Sequence, residues 1–316
     1  MPRDPPVTNA TLSFNETIVS ALSRQPCRPT HYNSPPMRKV AIIGAGELGG
    51  SLAHVLARRE RAQSICLIDD NGRLAEGKAL DISQSASVEG FSTELSASSD
   101  VTAAAGASLI VVADRAGGTE WQGEDGLMLL RRVIPVTAGS PIVCAGAAQR
   151  ELVERAVREL RMPRASVLGS APEAIVAGAR ALVALEVDAS PADVALSIVG
   201  VPPGQMVVGW EDATLAGMAL TGLLDAHAIR RLNARIMALW PPGPYALATA
   251  AAKVLETLLG RSRRLATCFI GPDDSAGRRT RAAALPVRLS AEGIAEVMLP
   301  TLGVAERVAL DNAMRL

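Results

Sequence analysis

The sequence is short of several residue types that functional sites draw on. Among 316 residues there are 3 histidines, 3 tryptophans, 3 phenylalanines and 2 tyrosines. The only lysines are Lys39, Lys78 and Lys253, so the positive charge is almost all arginine. Basic and acidic residues number 32 each, which leaves a formal net charge of zero. Such a balance supplies no field for a polyanion, and no nucleic-acid partner is expected. The basic runs RSRR (261–264) and RRTR (278–281) carry no interleaved aromatics and read as solvated surface. No uninterrupted apolar run reaches the roughly 18 residues of a membrane span, so no membrane partner is expected. The cysteines, Cys27, Cys66, Cys144 and Cys268, lie far apart, with no C-x-x-C and no adjacent histidine. That argues against a disulfide framework and against a metal site. Cys66, Cys144 and Cys268 sit in apolar stretches and read as buried free thiols of a reducing, cytoplasmic location.

What is present is an ordinary globular composition, 48% hydrophobic and 20% charged, long enough for two domains. Residues 1–37 are proline- and polar-rich, apart from TLSFNETIVSALSR, which has the pattern of one amphipathic helix. Asp4 and Glu16 spoil a transit-peptide profile, so this stretch reads as an N-terminal extension. Met37 reads as an alternative start, because the folded pattern begins directly after it. From Arg38 apolar runs alternate with helical stretches. KVAIIG (39–44), SICLID (64–69), SLIVVAD (108–114), PIVCAG (141–146) and ASVLGS (165–170) read as buried parallel strands. GELGGSLAHVLARRE, RLAEGKALDIS, EDGLMLLRRVIPVTA and RELVERAVREL read as the helices between them. The expectation is an α/β fold: a Rossmann doubly wound parallel sheet over 38–168, followed by a second α+β domain over 169–316. In that second part APEAIVAGARALVALE is helical, DVALSIVG and QMVVGW form a strand pair, and long helices and two more strands follow.

Gly44, Gly46 and Gly49 form G-x-G-x-x-G at the end of the first strand. In such a turn the second glycine lets backbone approach a pyrophosphate and the third lets helix pack on strand. The following helix then turns its N-terminus toward the phosphates, so Gly44, Gly46, Glu47, Leu48 and Gly49 are candidate cofactor contacts. Asp69 ends the next strand, where a carboxylate accepts both ribose hydroxyls and repels a 2′-phosphate, favouring NAD over NADP. The alternative is a tight turn without ligand, since Glu47 brings negative charge to the phosphates unless it points outward.

Four stretches carry a resemblance. GKALDISQSASVEGF (77–91), MVVGWEDATLAG (206–217), PYALATAAAKVLETLL (244–259) and LPVRLSAEGIAEVML (285–299) are similar to segments of the lactate/malate dehydrogenase family, in its malate dehydrogenase-like branch. The resemblance covers roughly residues 38–316. It implies a Rossmann domain, a mixed second domain, NAD as cofactor, and homodimers or homotetramers.

Oxidising a 2-hydroxy acid needs a base for the hydroxyl proton, a carboxylate to orient that base, and arginines to grip the substrate carboxylates. The family's histidine lies in a GGHGD-like turn, and the matching stretch here is GVPPG (200–204), which puts Pro202 at the histidine and Gly204 at the aspartate beside it. The family's LDSAR helix supplies the orienting aspartate and one arginine; Ile175 and Gly178 stand there. The mobile loop's two arginines match Gly118 and Glu124 in GGTEWQGEDG (117–126), and the substrate-binding asparagine matches Ala147. The family's TAG turn becomes Ala113-Asp114-Arg115, whose bulk is expected to crowd the nicotinamide side while the adenosine half stays serviceable, with Arg115 also placed to grip a phosphate. His31 lies in the extension, and His54 and His227 read as surface or packing histidines. Asp114, Arg115, Glu120, Glu124 and Asp125 form either a new acid–base set or a polar exposed loop. The sequence therefore reads as a pseudoenzyme that binds nucleotide or acts by assembly, with itself or with a protein partner. The alternative is an NAD-dependent oxidoreductase with a changed substrate and relocated catalytic groups.

Overall fold

The strands form where β-branched and aliphatic runs are buried on both faces. The structure, a computed structural model, describes residues 38–275 and 279–315. The expectations for the N-terminal extension, including its helix, Cys27 and His31, lie outside the described residues. In the first half, strands β1 (Lys39–Ile43), β2 (Ser64–Ile68), β3 (Glu94–Ser98), β4 (Leu109–Val112), β5 (Ile142–Cys144) and β6 (Val167–Gly169) pair in parallel. Their order is β3-β2-β1-β4-β5-β6, the doubly wound arrangement whose crossovers put helices on both faces. Along β4 the side chains alternate: Leu109 and Val111 enter one apolar cluster, Ile110 and Val112 the other. All four are at most 1% exposed, and burying each such side chain stabilises by about 1.5–3 kcal/mol.

Helix α1 (Glu47–Arg58) covers one face with Leu48, Leu52 and Leu56, spaced one turn apart. Helix α2 (Gly72–Glu89) runs past the expected end at Ser83. The hydroxyls of Ser83 and Ser85 donate back to the carbonyls of Ala79 and Ile82, both at 2.8 Å, and Gly90 closes the helix in the left-handed conformation. Helix α3 (Gly123–Val133) stops earlier than expected, because Pro135 converts the next turn to a 3₁₀ segment, Ile134–Val136. Helix α4 (Arg150–Arg158) completes this half. Strand β3 was not expected from sequence. It is an edge strand, ELSAS, with no fully buried residue.

The hydrogen-bonded sheet continues beyond β6 through β10 (Ala266–Ile270), β11 (Ala283–Ser290), β7 (Val194–Val201), β8 (Gln205–Leu215) and β9 (Met218–Ala219), all antiparallel, with β12 (Gly293–Val297) beside β11. Helices α5 (Ala171–Glu186), α6 (Ala226–Met237), α7 (Pro244–Leu258) and α8 (Val304–Met314) pack on this half. Helix α7 also lies against α1 through Leu247, Ala251 and Leu255, so both halves share one core. A buried ion pair ties three elements together. Glu173 of α5, 2% exposed, meets the Lys253 ammonium of α7 and accepts from the Thr267 amide of β10 at 2.8 Å.

Candidate functional site

The register of the parallel sheet decides what surrounds the glycine turn. Ile43 of β1 stands beside Ile68 of β2 and Val112 of β4. The residues just past those strands, Asp69 and Asp114, therefore converge on the turn from either side. Gly44 has φ +112°, and a Cβ there would lie 2.3 Å from the Asp114 carbonyl oxygen. A Cβ at Gly49 would lie 2.0 Å from the Gly44 carbonyl oxygen, so helix and strand pack as closely as the motif requires. The cradle has the expected shape.

Its contents differ from expectation. Asp114 is 5% exposed, and its two carboxylate oxygens accept from the Leu48 amide (3.1 Å) and the Gly49 amide (2.9 Å). Gly46, the N-cap of α1, offers no side-chain cap of its own. Asp114 supplies it from 66 residues away and balances the positive end of the helix. An ideal Cβ on Gly46 would lie 2.2 Å from the Asp114 Cγ. The gap that a second glycine leaves for a pyrophosphate thus holds the chain's own carboxylate, and a dinucleotide does not fit this arrangement. Asp114 was expected to crowd the nicotinamide side and leave the other half serviceable. Instead it crowds the phosphate cradle itself.

Asp69 is also committed. It is 6% exposed; its Oδ2 accepts from the amides of Ala45 and Ala116, both at 2.8 Å, and its Oδ1 from that of Asn71 at 2.9 Å. A carboxylate has about four acceptor positions, so three bonds leave little for the ribose pair expected of it. Its observed work is to hold the glycine turn and the segment after β4. Glu47 points outward and is exposed, and its bond with the Tyr245 phenol raises that phenol above its ordinary pKa. The Lys78 ammonium donates to the Gly46 carbonyl. Arg115 grips no phosphate position: its guanidinium lies 3.8 Å over the Trp121 ring and meets Asp125 at 3.0 Å.

Beside the cradle a cleft of about 500 Å³ is lined by Gly118, Glu120, Gln122, Ala147, Ala148 and Trp240, among others. Glu120 dominates it. Its carboxylate accepts from the amides of Ala147 (3.0 Å) and Ala148 (2.8 Å), which open the turn before α4. Burial pushes its pKa up; the two amides oppose that shift, and the neighbouring Asp114 charge adds to it. The Cys144 thiol in β5 is pushed up to about 12, mainly by burial and then by Glu120, which makes it unreactive.

The sequence-matched substrate positions fall in different places. Gly118 and Ala147 line the cleft. Glu124 faces away, paired with the Arg155 guanidinium on α4. Ile175 is 1% exposed, in the apolar cluster with Met206 and Val208. Gly178 abuts Leu239, whose Cδ1 would lie 2.8 Å from an added Cβ. Pro202 is buried at the turn joining β7 and β8. The acid–base set weighed for the loop after β4 is committed to structural bonds: Asp114 and Glu120 stand near each other and each cap backbone amides, Arg115 pairs with Asp125, and Glu124 pairs with Arg155 outside the set. His54 lies 3.8 Å from Glu89 on the outer side of α1 and α2, and His227 is exposed. Cys66, Cys144 and Cys268 are buried free thiols. Among the described residues no group of three or more His, Cys, Asp or Glu is placed to hold a metal ion. None of their helices is long and apolar enough to cross a membrane.

Residues 38–139 match the family model described as lactate/malate dehydrogenase, NAD binding domain. Over 298 residues the chain is 28% identical to a malate dehydrogenase of Thermomicrobium roseum, covering 88% of this chain and 96% of that one. Its fold is similar to the malate dehydrogenase structure from Salinibacter ruber, with a TM-score of 0.78 and 24% identity over 87% of this chain and 93% of the other. It is similar also to a lactate dehydrogenase structure from Cryptosporidium parvum complexed with lactic acid and nicotinamide adenine dinucleotide, with a TM-score of 0.79 and 19% identity over 88% and 94% of the two chains. The strand order and the glycine cradle agree with these likenesses: residues 38–139 match the NAD binding domain of the lactate/malate dehydrogenases, and the fold resembles theirs over most of the chain.

Proposed function

We propose that this chain is a malate dehydrogenase-like protein that no longer carries out hydride transfer and acts as a folded, non-catalytic scaffold. The observation that carries the reading is the Glu120 carboxylate lying across the amides of Ala147 and Ala148 inside the cleft. A dicarboxylate substrate needs positive charge there, and a fixed negative one repels it. The other sequence-matched positions support the same reading. Pro202 has no proton to exchange, Ile175 belongs to an apolar cluster, and Gly178 is packed against Leu239. Losing the general base alone lowers a rate by about 10²–10⁴-fold, and losing the arginines removes the hold on substrate as well.

The test is NADH formation from malate or lactate by the purified full chain. The expected result is none above the enzyme-free rate, and turnover at an ordinary enzymatic rate overturns the reading. Action through assembly, as a dimer or tetramer or with a protein partner, is supported by the exposed apolar side chains Leu80 and Val88 on α2. Sedimentation equilibrium tests it, a monomer at every concentration counting against self-assembly. Buried free thiols fit a reducing compartment such as the cytoplasm. A second reading, an oxidoreductase with a changed substrate, is favoured by one observation. The Arg180 Nε of α5 is buried without a hydrogen-bond partner, so a substrate anion is a candidate partner. Turnover of any 2-hydroxy acid that Arg180→Ala abolishes would establish it.

A further inference from the structure

We infer that Asp114 is a built-in anion seated where a dinucleotide would place its pyrophosphate, so that the chain as it stands excludes NAD and Asp114→Gly admits it. This goes beyond the loss of turnover, which concerns the substrate cleft rather than the cradle.

Three observations converge on it. The first turn of α1 presents the Leu48 and Gly49 amides, and both are already bonded to the Asp114 carboxylate. The space over Gly46 that an incoming phosphate needs is filled by the same carboxylate, whose three terminal atoms lie 2.2–2.5 Å from an ideal Cβ there. Finally, the Asp114 backbone is held in place. Its carbonyl accepts from the Gly46 amide at 2.9 Å, and the Ala113 amide donates to the Ile43 carbonyl at 2.8 Å. The carboxylate can leave only by rotating its side chain, which strips two buried amides of their acceptor until a ligand replaces it. Ligand must therefore displace an intramolecular competitor, and its apparent affinity falls by the fraction of molecules in which the seat is open. The side chains around the cradle do not offset this. Lys78 is bonded to the Gly46 carbonyl, Arg115 is stacked on Trp121, and Asp69 adds a second carboxylate alongside.

Calorimetric titration of the full chain with NAD and with ADP-ribose tests the inference, with circular dichroism confirming that each variant is folded. Wild type is expected to show no measurable binding, or binding at least tenfold weaker than Asp114→Gly. Asp114→Ser keeps a short acceptor for the helix and serves if the glycine variant does not fold; it is expected to gain affinity likewise. Adding Gly46→Ala to either variant places a methyl over the vacated seat and is expected to abolish the gain. Wild-type affinity within threefold of the variants overturns the inference. So does failure of both folded variants to bind, or persistence of binding in the Gly46→Ala double variant. NAD binding by wild type without turnover overturns this inference and leaves the proposed function standing, whereas turnover overturns both.

Discussion

Glu173 offers the sharpest test of how the two halves are joined. It sits in the first turn of α5 at 2% exposure, against Lys253 of α7 and the Thr267 amide of β10. Replacing it with alanine strands two groups at once. The Lys253 side chain is 29% exposed and partly reaches water, while the Thr267 amide is buried and keeps no acceptor. Breaking a buried ion pair by removing one partner costs about 3–5 kcal/mol, and the partial exposure of the lysine lowers this to about 2–4 kcal/mol. Glu173→Gln retains an oxygen for the Thr267 amide and loses only the charge, for a cost of about 1–2 kcal/mol. Urea unfolding followed by circular dichroism reads both as shifts in midpoint at constant slope. An alanine variant within 1 kcal/mol of wild type, or a glutamine variant as damaged as the alanine one, would refute the assignment of Glu173 as the tie between α5, α7 and β10.

The other consequences concern the glycine turn and the cleft. Gly49→Ala drives a methyl to 2.0 Å from the Gly44 carbonyl, a backbone atom that cannot step aside; it is expected to cost at least about 2 kcal/mol. Gly50→Ala meets only the flexible Lys78 stem at 3.1 Å, and is expected to be neutral or to gain up to about 1 kcal/mol of helix propensity. Equal effects at the two positions in thermal melts would contradict the close helix–strand packing. Glu120, with its pKa raised in the folded state chiefly by burial, binds its proton more tightly folded than unfolded. Its contribution is therefore fully present below the ordinary glutamate pKa and is lost as pH rises through the folded value. The stability of Glu120→Gln relative to wild type should accordingly increase across that window. A difference that is flat with pH, or that falls, contradicts the buried placement of the carboxylate.

Much of the architecture was legible because it rests on local patterns. β1, β2, β4, β5 and β6 are dense apolar runs, and each was recognisable as a strand buried on both faces. β3 was not, because an edge strand with the burial of ELSAS carries no such run. The end of α3 moved for a reason visible in hindsight at Pro135, and that of α2 because serine hydroxyls can bond back along a helix as well as leave it. The glycine turn was legible as a cradle from the spacing of Gly44, Gly46 and Gly49 at the end of a buried strand, and Gly49 indeed packs on the Gly44 carbonyl. Its filling was not. That Asp114 reaches Leu48 and Gly49 depends on β4 lying beside β1 in a particular register, which no spacing along the chain encodes. The only signal was an acidic residue directly after a buried strand, at a position where the resemblance implies a small one. Asp69 misled for the same reason: its place at the end of β2 was right, but two of its three partners, Ala45 and Ala116, come from other segments. Glu120 and Glu173 act through amides 27 and 94 residues away and carried no local mark.

On the proposed reading the dehydrogenase-like fold is kept while the cleft that holds the Glu120 carboxylate turns a dicarboxylate away. Steady-state assay of the purified full chain with saturating malate and NAD, followed by NADH absorbance, tests it most directly. The expected rate is indistinguishable from the enzyme-free control across neutral pH. A rate typical of dehydrogenases, about 1 per second or more per chain, would contradict it.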